Sequence, residues 1–263
     1  MSEVKIPKVI HYCWFGGGQM PAIHQEYIRS WKKYCPDYEI VRWDESNFDI
    51  HENRYAEEAY QCGKWAFVSD YARLKIIYDH GGIYLDTDVE LLKPLDPLLE
   101  YEGFMGFQND ALVSSGLGFG AVAHHPVIGR LLADYDAIHF RLEDGTLDMT
   151  ACPDRNATAL SELGVRADGS RQECCGIQFF PADYFSPKDW RSGECVLTAN
   201  SYSIHHYKAS WMSSKQHRNL RMMHLQNRLK KHERLYYFLR SIKRKLIKKH
   251  NPYCDESIAC CAI

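Results

Sequence analysis

In this chain of 263 residues we expect neither a membrane-spanning segment nor a signal for export. It has no run of about 18 apolar residues, which a membrane-spanning helix requires. Its opening residues, MSEVKIPKVIHYCW, have no basic start, apolar core or small-residue cleavage site of the kind found in signal peptides. Its ten cysteines include no CxxC pair, so we expect mostly reduced thiols and a cytoplasmic protein.

Two kinds of nucleotide-binding loop are also missing. Gly16, Gly17 and Gly18 follow an apolar stretch, but no GK[ST] comes after them, which excludes a Walker loop. They do not form GxGxxG either, which argues against a dinucleotide site. The sequence contains no recognised nucleic-acid-binding motif, so no nucleic-acid partner is predicted.

The charge is distributed unevenly along the chain. Residues 215–263 contain 13 Lys and Arg against 3 Asp and Glu, which gives about +10. Residues 1–214 carry about −12, so the net charge of −2 hides the asymmetry. This shift predicts a body at 1–214 and a basic tail at 215–263.

Hydrophobic periodicity predicts alternating strands and helices in the first third of the chain. Strands are predicted at 8–15, 38–43 and 83–91, and helices at 22–35 and 56–82, the second interrupted near Gly63. Strand, helix, strand, helix, strand in this order is typical of an α/β sheet with parallel neighbours. Ligands of such sheets bind at the carboxyl ends of the strands, where the glycines and the acids of GGIYLDTDVE both fall.

Asp86 and Asp88 are the first candidate site residues. Two residues apart on a predicted strand, they are expected on one face of it. Such a pair is solvated, paired with cations or bound to a metal, because an unpaired buried carboxylate is costly. Two carboxylates make a hard oxygen site suited to Mn²⁺ or Mg²⁺. The alternative to a metal site is a solvated strand end that caps a nearby helix.

Three blocks together resemble a known family. IPKVIHYCWFGGG, WAFVSDYARLKIIYDHGGIYLDTDVE and SIHHYKASW, spread over residues 6–211, are similar to the DxD-containing sugar-nucleotide glycosyltransferases of family 32. That family includes capsular-polysaccharide and initiating mannosyltransferases, and it is distantly similar to clostridial glucosylating toxin domains. The resemblance implies a type A glycosyltransferase fold, a single Rossmann-like mixed sheet flanked by helices, to which the charge pattern adds a basic helical C-terminal tail. It also implies a divalent cation and retention of anomeric configuration.

The resemblance implies metal ligands and donor contacts. Asp88 would bind the metal, Asp86 would reach the metal, the ribose or both, and His206 is preferred over His205 as the third ligand. The residues expected at the donor are Trp14, Asp70, Arg73, Tyr84, Asp86, Ser210 and Trp211, with Lys208 also able to reach the phosphates. Asp70, Arg73 and Asp86 are the expected catalytic residues. The alternatives are an ordinary ion pair for Asp70 and Arg73, and core positions for Trp14 and Tyr84.

The expected function is transfer of a sugar from a nucleotide sugar, with UDP-sugars preferred, to a saccharide or lipid-linked acceptor in surface polysaccharide synthesis. The alternatives are a toxin-like protein glycosylator, a sugar-nucleotide hydrolase, and a basic-tailed binding module without activity. In the tail, Leu235, Leu239, Ile242 and Leu246 recur at helical spacing among basic residues. This pattern predicts peripheral binding to an anionic membrane; a basic helix on the acidic body is the alternative. The oligomeric state is not predicted.

Overall fold

The computed structural model describes residues 3–208 and residues 214–230. These residues fall into two compact units, one of residues 3–189 with 194–208 and the other of 190–193 with 214–230. The predicted boundary at residue 215 stays a prediction. Ser210, Trp211 and the apolar stripe at 235–246 lie outside the described residues.

The first part of the chain alternates strands and helices as predicted. The elements are β1 (Val9–Cys13), α1 (Ala22–Tyr34), β2 (Glu39–Trp43), α2 (Arg54–Gln61), α3 (Trp65–His80), β3 (Gly82–Tyr84) and β4 (Val89–Leu91). Gly63 separates α2 from α3 with a φ of 64°, a backbone conformation that glycine adopts without strain. Gly81 ends α3 in the same way, with a φ of 67°.

The remaining elements complete the sheet and add helices. They are β5 (Gly103–Phe107), β6 (Val113–Ser114), β7 (Phe119–Ala121), α4 (Pro126–Asp136), α5 (Cys152–Glu162), β8 (Gln172–Cys174), β9 (Ile177–Phe180), α6 (Ala182–Phe185), β10 (Ser203–His205) and α7 (Ser214–Lys230). The last helix covers the start of the predicted basic tail. No helix in the described part of the chain is both long and apolar enough to cross a bilayer.

One mixed sheet forms the centre of the larger unit. Its strands run in the order β2-β1-β3-β7-β5-β9-β8, with β6 paired to β5. β1 is parallel to both β2 and β3, and β7 is antiparallel to both β3 and β5. Helices α2 to α5 contribute to one buried apolar cluster, whereas α1 and α6 contribute to another. The predicted fold class, a central mixed sheet flanked by helices, is confirmed, and one small two-stranded sheet is added to it.

The predicted strand at 83–91 is wrong in one respect that matters for the site. The chain leaves the sheet after Tyr84, and the backbone N–H of Val89 donates to the carbonyl oxygen of Asp86 at 3.0 Å, which closes a turn. β4 then pairs antiparallel with β10 in a separate two-stranded sheet. Asp86 and Asp88 therefore lie in a turn between two strands, not on one face of a continuous strand.

Candidate active site

The candidate site residues gather where the parallel strands β1 and β3 end. Trp14 directly follows β1, and Asp86 lies two residues beyond β3. Asp70 and Arg73, three residues apart on α3, face the same place. The turn that carries Asp88 and the end of β10 close the group, since β10 pairs with β4 immediately after that turn.

Asp86, Asp88 and His205 form a group that is able to hold a metal ion. One ligand atom from each lies within 4.8 Å of the others. The donor set is two carboxylate oxygens and one imidazole nitrogen, which suits a divalent cation of the Mn²⁺ or Mg²⁺ type. Nδ1 of His205 is buried and has no hydrogen-bond partner among the described residues, whereas its Nε2 lies 3.0 Å from Oδ1 of Asp88. The residues present therefore fit a bound metal.

Asp88 stays charged although it is buried. Burial disfavours the carboxylate, but the His205 ring and the hydrogen bonds from His205 and the Lys208 backbone lower the pKa of Asp88 below its ordinary value. The N–H of Lys208 donates to Oδ2 of Asp88 at 2.7 Å, and the N–H of His206 donates to the carbonyl oxygen of Asp88 at 2.9 Å. Asp88 thus fixes the turn that follows β10 as well as presenting its own oxygens.

The structure brings His205, and not the preferred His206, to the aspartates. Nε2 of His206 lies 2.9 Å from Oε2 of Glu90, and its ring stacks on Tyr27 with centroids 4.4 Å apart. The physical reason is strand alternation, because neighbouring residues at the end of β10 point to opposite sides. The sequence predicted that the two histidines point to opposite sides, but it did not predict which side faces Asp86 and Asp88.

Arg73 is buried between two acids. Its Nη2 lies 3.0 Å from Oδ1 of Asp70 and 3.2 Å from Oδ1 of Asp86, and only 4% of the side chain is exposed. Burial raises the pKa of Asp70 to about 6, although Arg73 opposes that shift. Burial also raises the pKa of Asp86, which Arg73 again opposes and Asp88 reinforces. The Asp70–Arg73 pair is therefore an intrahelical ion pair that also orients Asp86.

Tyr84 occupies the core. It is 1% exposed, and its hydroxyl donates to Oδ1 of Asp86 at 3.1 Å. The guanidinium carbon of Arg73 lies 5.3 Å from the centre of its ring. Tyr84 thus reaches the site through Asp86, which favours the core alternative over direct donor contact.

Trp14 lies on the rim of the site and is half-buried. Its Nε1 donates to the carbonyl oxygen of Gly18 at 2.6 Å, which shapes the glycine loop. The edge of its ring meets His24, with centroids 5.7 Å apart, and Nδ1 of His24 shares a 2.9 Å hydrogen bond with Oγ1 of Thr87. Trp14 is therefore linked through His24 to the turn between the two aspartates, and stacking on a base stays a prediction.

Two site residues were missed by sequence reasoning. A Cβ atom on Gly116 would lie 2.8 Å from Oδ2 of Asp86, so any larger residue here would have to displace this carboxylate. The buried thiol of Cys152 lies 3.7 Å from both Nη1 of Arg73 and Oγ of Ser115. Burial raises the pKa of Cys152 to about 12, which keeps the thiol neutral. Gly116 stands in the glycine-rich stretch at 112–126, which was a usable signal, whereas the segment that begins at Cys152 gave no assignment.

The fold and this site define an α/β protein with an acidic, metal-compatible centre at the ends of parallel strands. Residues 21–105 match the family described as "Glycosyltransferase sugar-binding region containing DXD motif". The matched segment contains Asp70, Arg73, Asp86 and Asp88, whereas Trp14 and His205 lie outside it. The predicted resemblance to DxD-containing glycosyltransferases is confirmed, and residues 21–105 are similar to such a sugar-binding region.

Proteins that are similar to this chain are named as glycosyltransferases. The chain is 30% identical over 146 residues to inositol phosphoceramide mannosyltransferase 1 of Schizosaccharomyces pombe, covering 51% of this chain and 42% of that protein. It is 36% identical over 72 residues to the human alpha-1,4-N-acetylglucosaminyltransferase, covering 27% and 20%. The PaToxG glycosyltransferase structure has a TM-score of 0.45 at 21% identity, covering 60% of this chain and 69% of that one. The chain spans less than half the length of each of the two curated relatives.

Proposed function

We propose that the protein is a metal-dependent glycosyltransferase that uses a nucleotide-sugar donor. The observation that carries this proposal is the group of Asp86, Asp88 and His205, with ligand atoms within 4.8 Å of one another, at the strand ends where α/β proteins bind ligands. Two of these three residues belong to the segment that matches the sugar-binding family. A divalent cation bound there, Mn²⁺ or Mg²⁺, would neutralise the charge of the departing diphosphate.

In this proposal the buried acids and Arg73 hold the sugar end of the donor. Asp70 would accept hydrogen bonds from sugar or ribose hydroxyls, and Arg73 would orient Asp86 and face the sugar or the phosphate. Trp14, on the rim, would stack on the base. We also propose that the anomeric configuration of the sugar is retained. The reaction would take place on one face of the sugar, and the leaving phosphate would accept the proton of the acceptor.

The acceptor proposed is a saccharide or a lipid-linked saccharide of surface polysaccharide synthesis, with UDP-sugars as the preferred donors. The likeness to a protein named for mannosyl transfer to inositol phosphoceramide supports an acceptor that carries a lipid. A soluble body that acts on such an acceptor must stay close to a membrane. We therefore propose a cytoplasmic protein whose basic tail keeps it at an anionic inner membrane face.

A donor screen tests the proposal. The full chain with Mn²⁺ is offered UDP- and GDP-sugars, and free nucleotide is measured with and without saccharide acceptors. We expect release from one donor that depends on Mn²⁺ and rises with an acceptor. Release that ignores every acceptor would favour the sugar-nucleotide hydrolase, and a chain that binds neither Mn²⁺ nor any donor would contradict the proposal.

A further inference from the structure

We infer that Lys188 is a binding residue for the diphosphate of the nucleotide donor, acting together with Lys208. The inference rests on the proposed function, because it names the part of the donor that this side chain recognises. Lys188 lies just beyond α6, far along the sequence from the Asp86–Asp88 turn. Neither sequence pattern nor family match points to it.

A short turn brings Lys188 to the candidate site. The turn is His206 to Lys208, directly after β10, and it is tied to Asp88 through the N–H groups of both its end residues. From the other side, Nζ of Lys188 donates to the carbonyl oxygen of His206 at 3.2 Å. The same turn therefore touches the aspartate on one side and the Lys188 ammonium on the other.

The turn is held in an unusual backbone conformation. Tyr207, at its centre, has a φ of 52°, which is rare for a bulky residue and must be supported by its surroundings. Its hydroxyl shares a 2.6 Å hydrogen bond with Oγ of Ser186, two residues before Lys188. Ser186 and Lys188 thus support neighbouring residues of one turn, the first with a neutral group and the second with a charge.

The contact between Lys188 and the turn does not require a charged side chain. The side chain is half-buried, and its hydrogen bond goes to a neutral carbonyl oxygen. Burial lowers the pKa of Lys188 and repulsion from Lys208 lowers it further, while Cys195 and Asp88 oppose the shift, so two like charges lie near each other beside one carboxylate. Burial likewise lowers the pKa of His24, which Asp88 opposes and repulsion from Lys208 reinforces. An anion between these groups would relieve the repulsion.

A diphosphate fits the chemistry of the two lysines. An ammonium has three N–H donors, and Lys188 spends one on His206, which leaves two for phosphate oxygens. Lysine is a compact point charge suited to phosphate, and Nη2 of Arg73 already pairs with both Asp70 and Asp86. Carboxylates that hold a divalent cation and ammonium groups beside them together form a site for a metal-bound diphosphate.

The test compares ligand binding by three variants of the full chain. Lys188→Gln keeps a neutral donor but loses the charge, Lys188→Arg keeps the charge, and Ser186→Ala removes the neutral support of the same turn. The probes are UDP and GDP with Mn²⁺, together with uridine and guanosine, measured by titration calorimetry. Melting temperatures are measured in parallel, so that misfolded variants are recognised.

We expect Lys188→Gln to weaken binding of the preferred nucleoside diphosphate about tenfold or more, the scale of a lost hydrogen bond to a charged group. Nucleoside binding should not change, Lys188→Arg should keep most of the affinity, and Ser186→Ala should have a smaller effect. Rising salt should weaken diphosphate binding less in Lys188→Gln than in the natural chain.

Two results would overturn the inference. Equal diphosphate affinity in Lys188→Gln and the natural chain would show that the charge is not used, while the proposed function would stand. An equal loss in Ser186→Ala and Lys188→Gln would show that Lys188 only supports the turn. If the natural chain bound neither diphosphate with Mn²⁺, the proposed function itself would fail, and the inference with it.

Discussion

Nε2 of His205 lies 3.0 Å from Oδ1 of Asp88, although the two residues are more than a hundred positions apart in the chain. The antiparallel pairing of β10 with β4 creates this contact, because it sets His205 opposite Val89, the residue after Asp88. A strand that is only three residues long therefore completes the candidate metal group. His205 and the turn that follows it belong to the site for that reason, and β10 is not a strand of the central sheet.

The first prediction is that Asp88→Asn abolishes most of the activity. The substitution keeps the size of the side chain but removes the charge, which the surroundings maintain by lowering the pKa of Asp88. We expect turnover to fall at least about 10²-fold, the scale on which losing one electrostatic stabiliser of a transition state acts. Nucleotide release with the donor found by screening measures it. Full activity of the variant, or of the natural chain in EDTA, would exclude the metal mechanism.

The second prediction separates the two neighbouring histidines. His205→Ala should weaken Mn²⁺ binding by at least about tenfold, whereas His206→Ala should leave it nearly unchanged, because His206 pairs with Glu90. The electron paramagnetic resonance signal of free Mn²⁺ reports the affinity directly, without any donor. Stronger weakening in His206→Ala would restore the ligand that the sequence pattern favoured.

Local patterns made much of this architecture predictable, and contacts between distant segments set the rest. Apolar periodicity located β1, α1 and β2 within a few residues, and Gly63 and Gly81 marked real helix ends. The break between β3 and β4 was not predictable, because it exists only through the pairing of β4 with β10. For the same reason, the sequence predicted that His205 and His206 point to opposite sides, but it did not predict which of the two faces the aspartates.

The third prediction concerns Trp14 on the rim. If its ring stacks on the base, Trp14→Ala should weaken donor binding by about 1–3 kcal/mol, the range for stacking of a base on an aromatic side chain. Because the ring is half-buried, the melting temperature should fall only modestly. Titration of the donor and a melting curve on the same sample give both numbers. A large loss of melting temperature with unchanged donor affinity would assign Trp14 to the core instead.

The fourth prediction is a pH dependence that comes from buried His11. Trp43 Nε1 donates to Nδ1 of His11 at 3.0 Å, so Nε2 carries the proton and donates to the carbonyl oxygen of Gly81 at 3.1 Å. The ring is thus fully bonded when neutral, and burial lowers the pKa of His11 to about 4. Its contribution to stability is complete above about pH 6.5, the unfolded pKa, and is lost as pH falls through about 4.

Urea unfolding between pH 7.5 and 4 checks this dependence. The free energy of unfolding should decline over this range by up to about 3 kcal/mol from His11 alone, which corresponds to the shift in its pKa. His11→Gln does not titrate and can still donate and accept a hydrogen bond, so its curve should be flatter over the same range. Parallel curves for the two proteins would mean that other groups cause the acid sensitivity.

The last prediction concerns the basic tail, whose described part is the helix Ser214–Lys230. This helix contains five Lys and Arg and no Asp or Glu, and Met222 and Leu225 are exposed near Arg218 and Arg221. Basic and apolar groups side by side adsorb to anionic bilayers, each Lys or Arg contributing about 1 kcal/mol and being screened by salt.

The full chain should therefore pellet with anionic vesicles at low salt and be released at high salt. A chain ending at Ser214 that keeps the melting temperature of the body should stay in solution with the same vesicles, as should the full chain with neutral ones. If the truncated chain also pellets, the body and not the tail contacts the membrane. If neither the full nor the truncated chain pellets, the tail does not bind membranes.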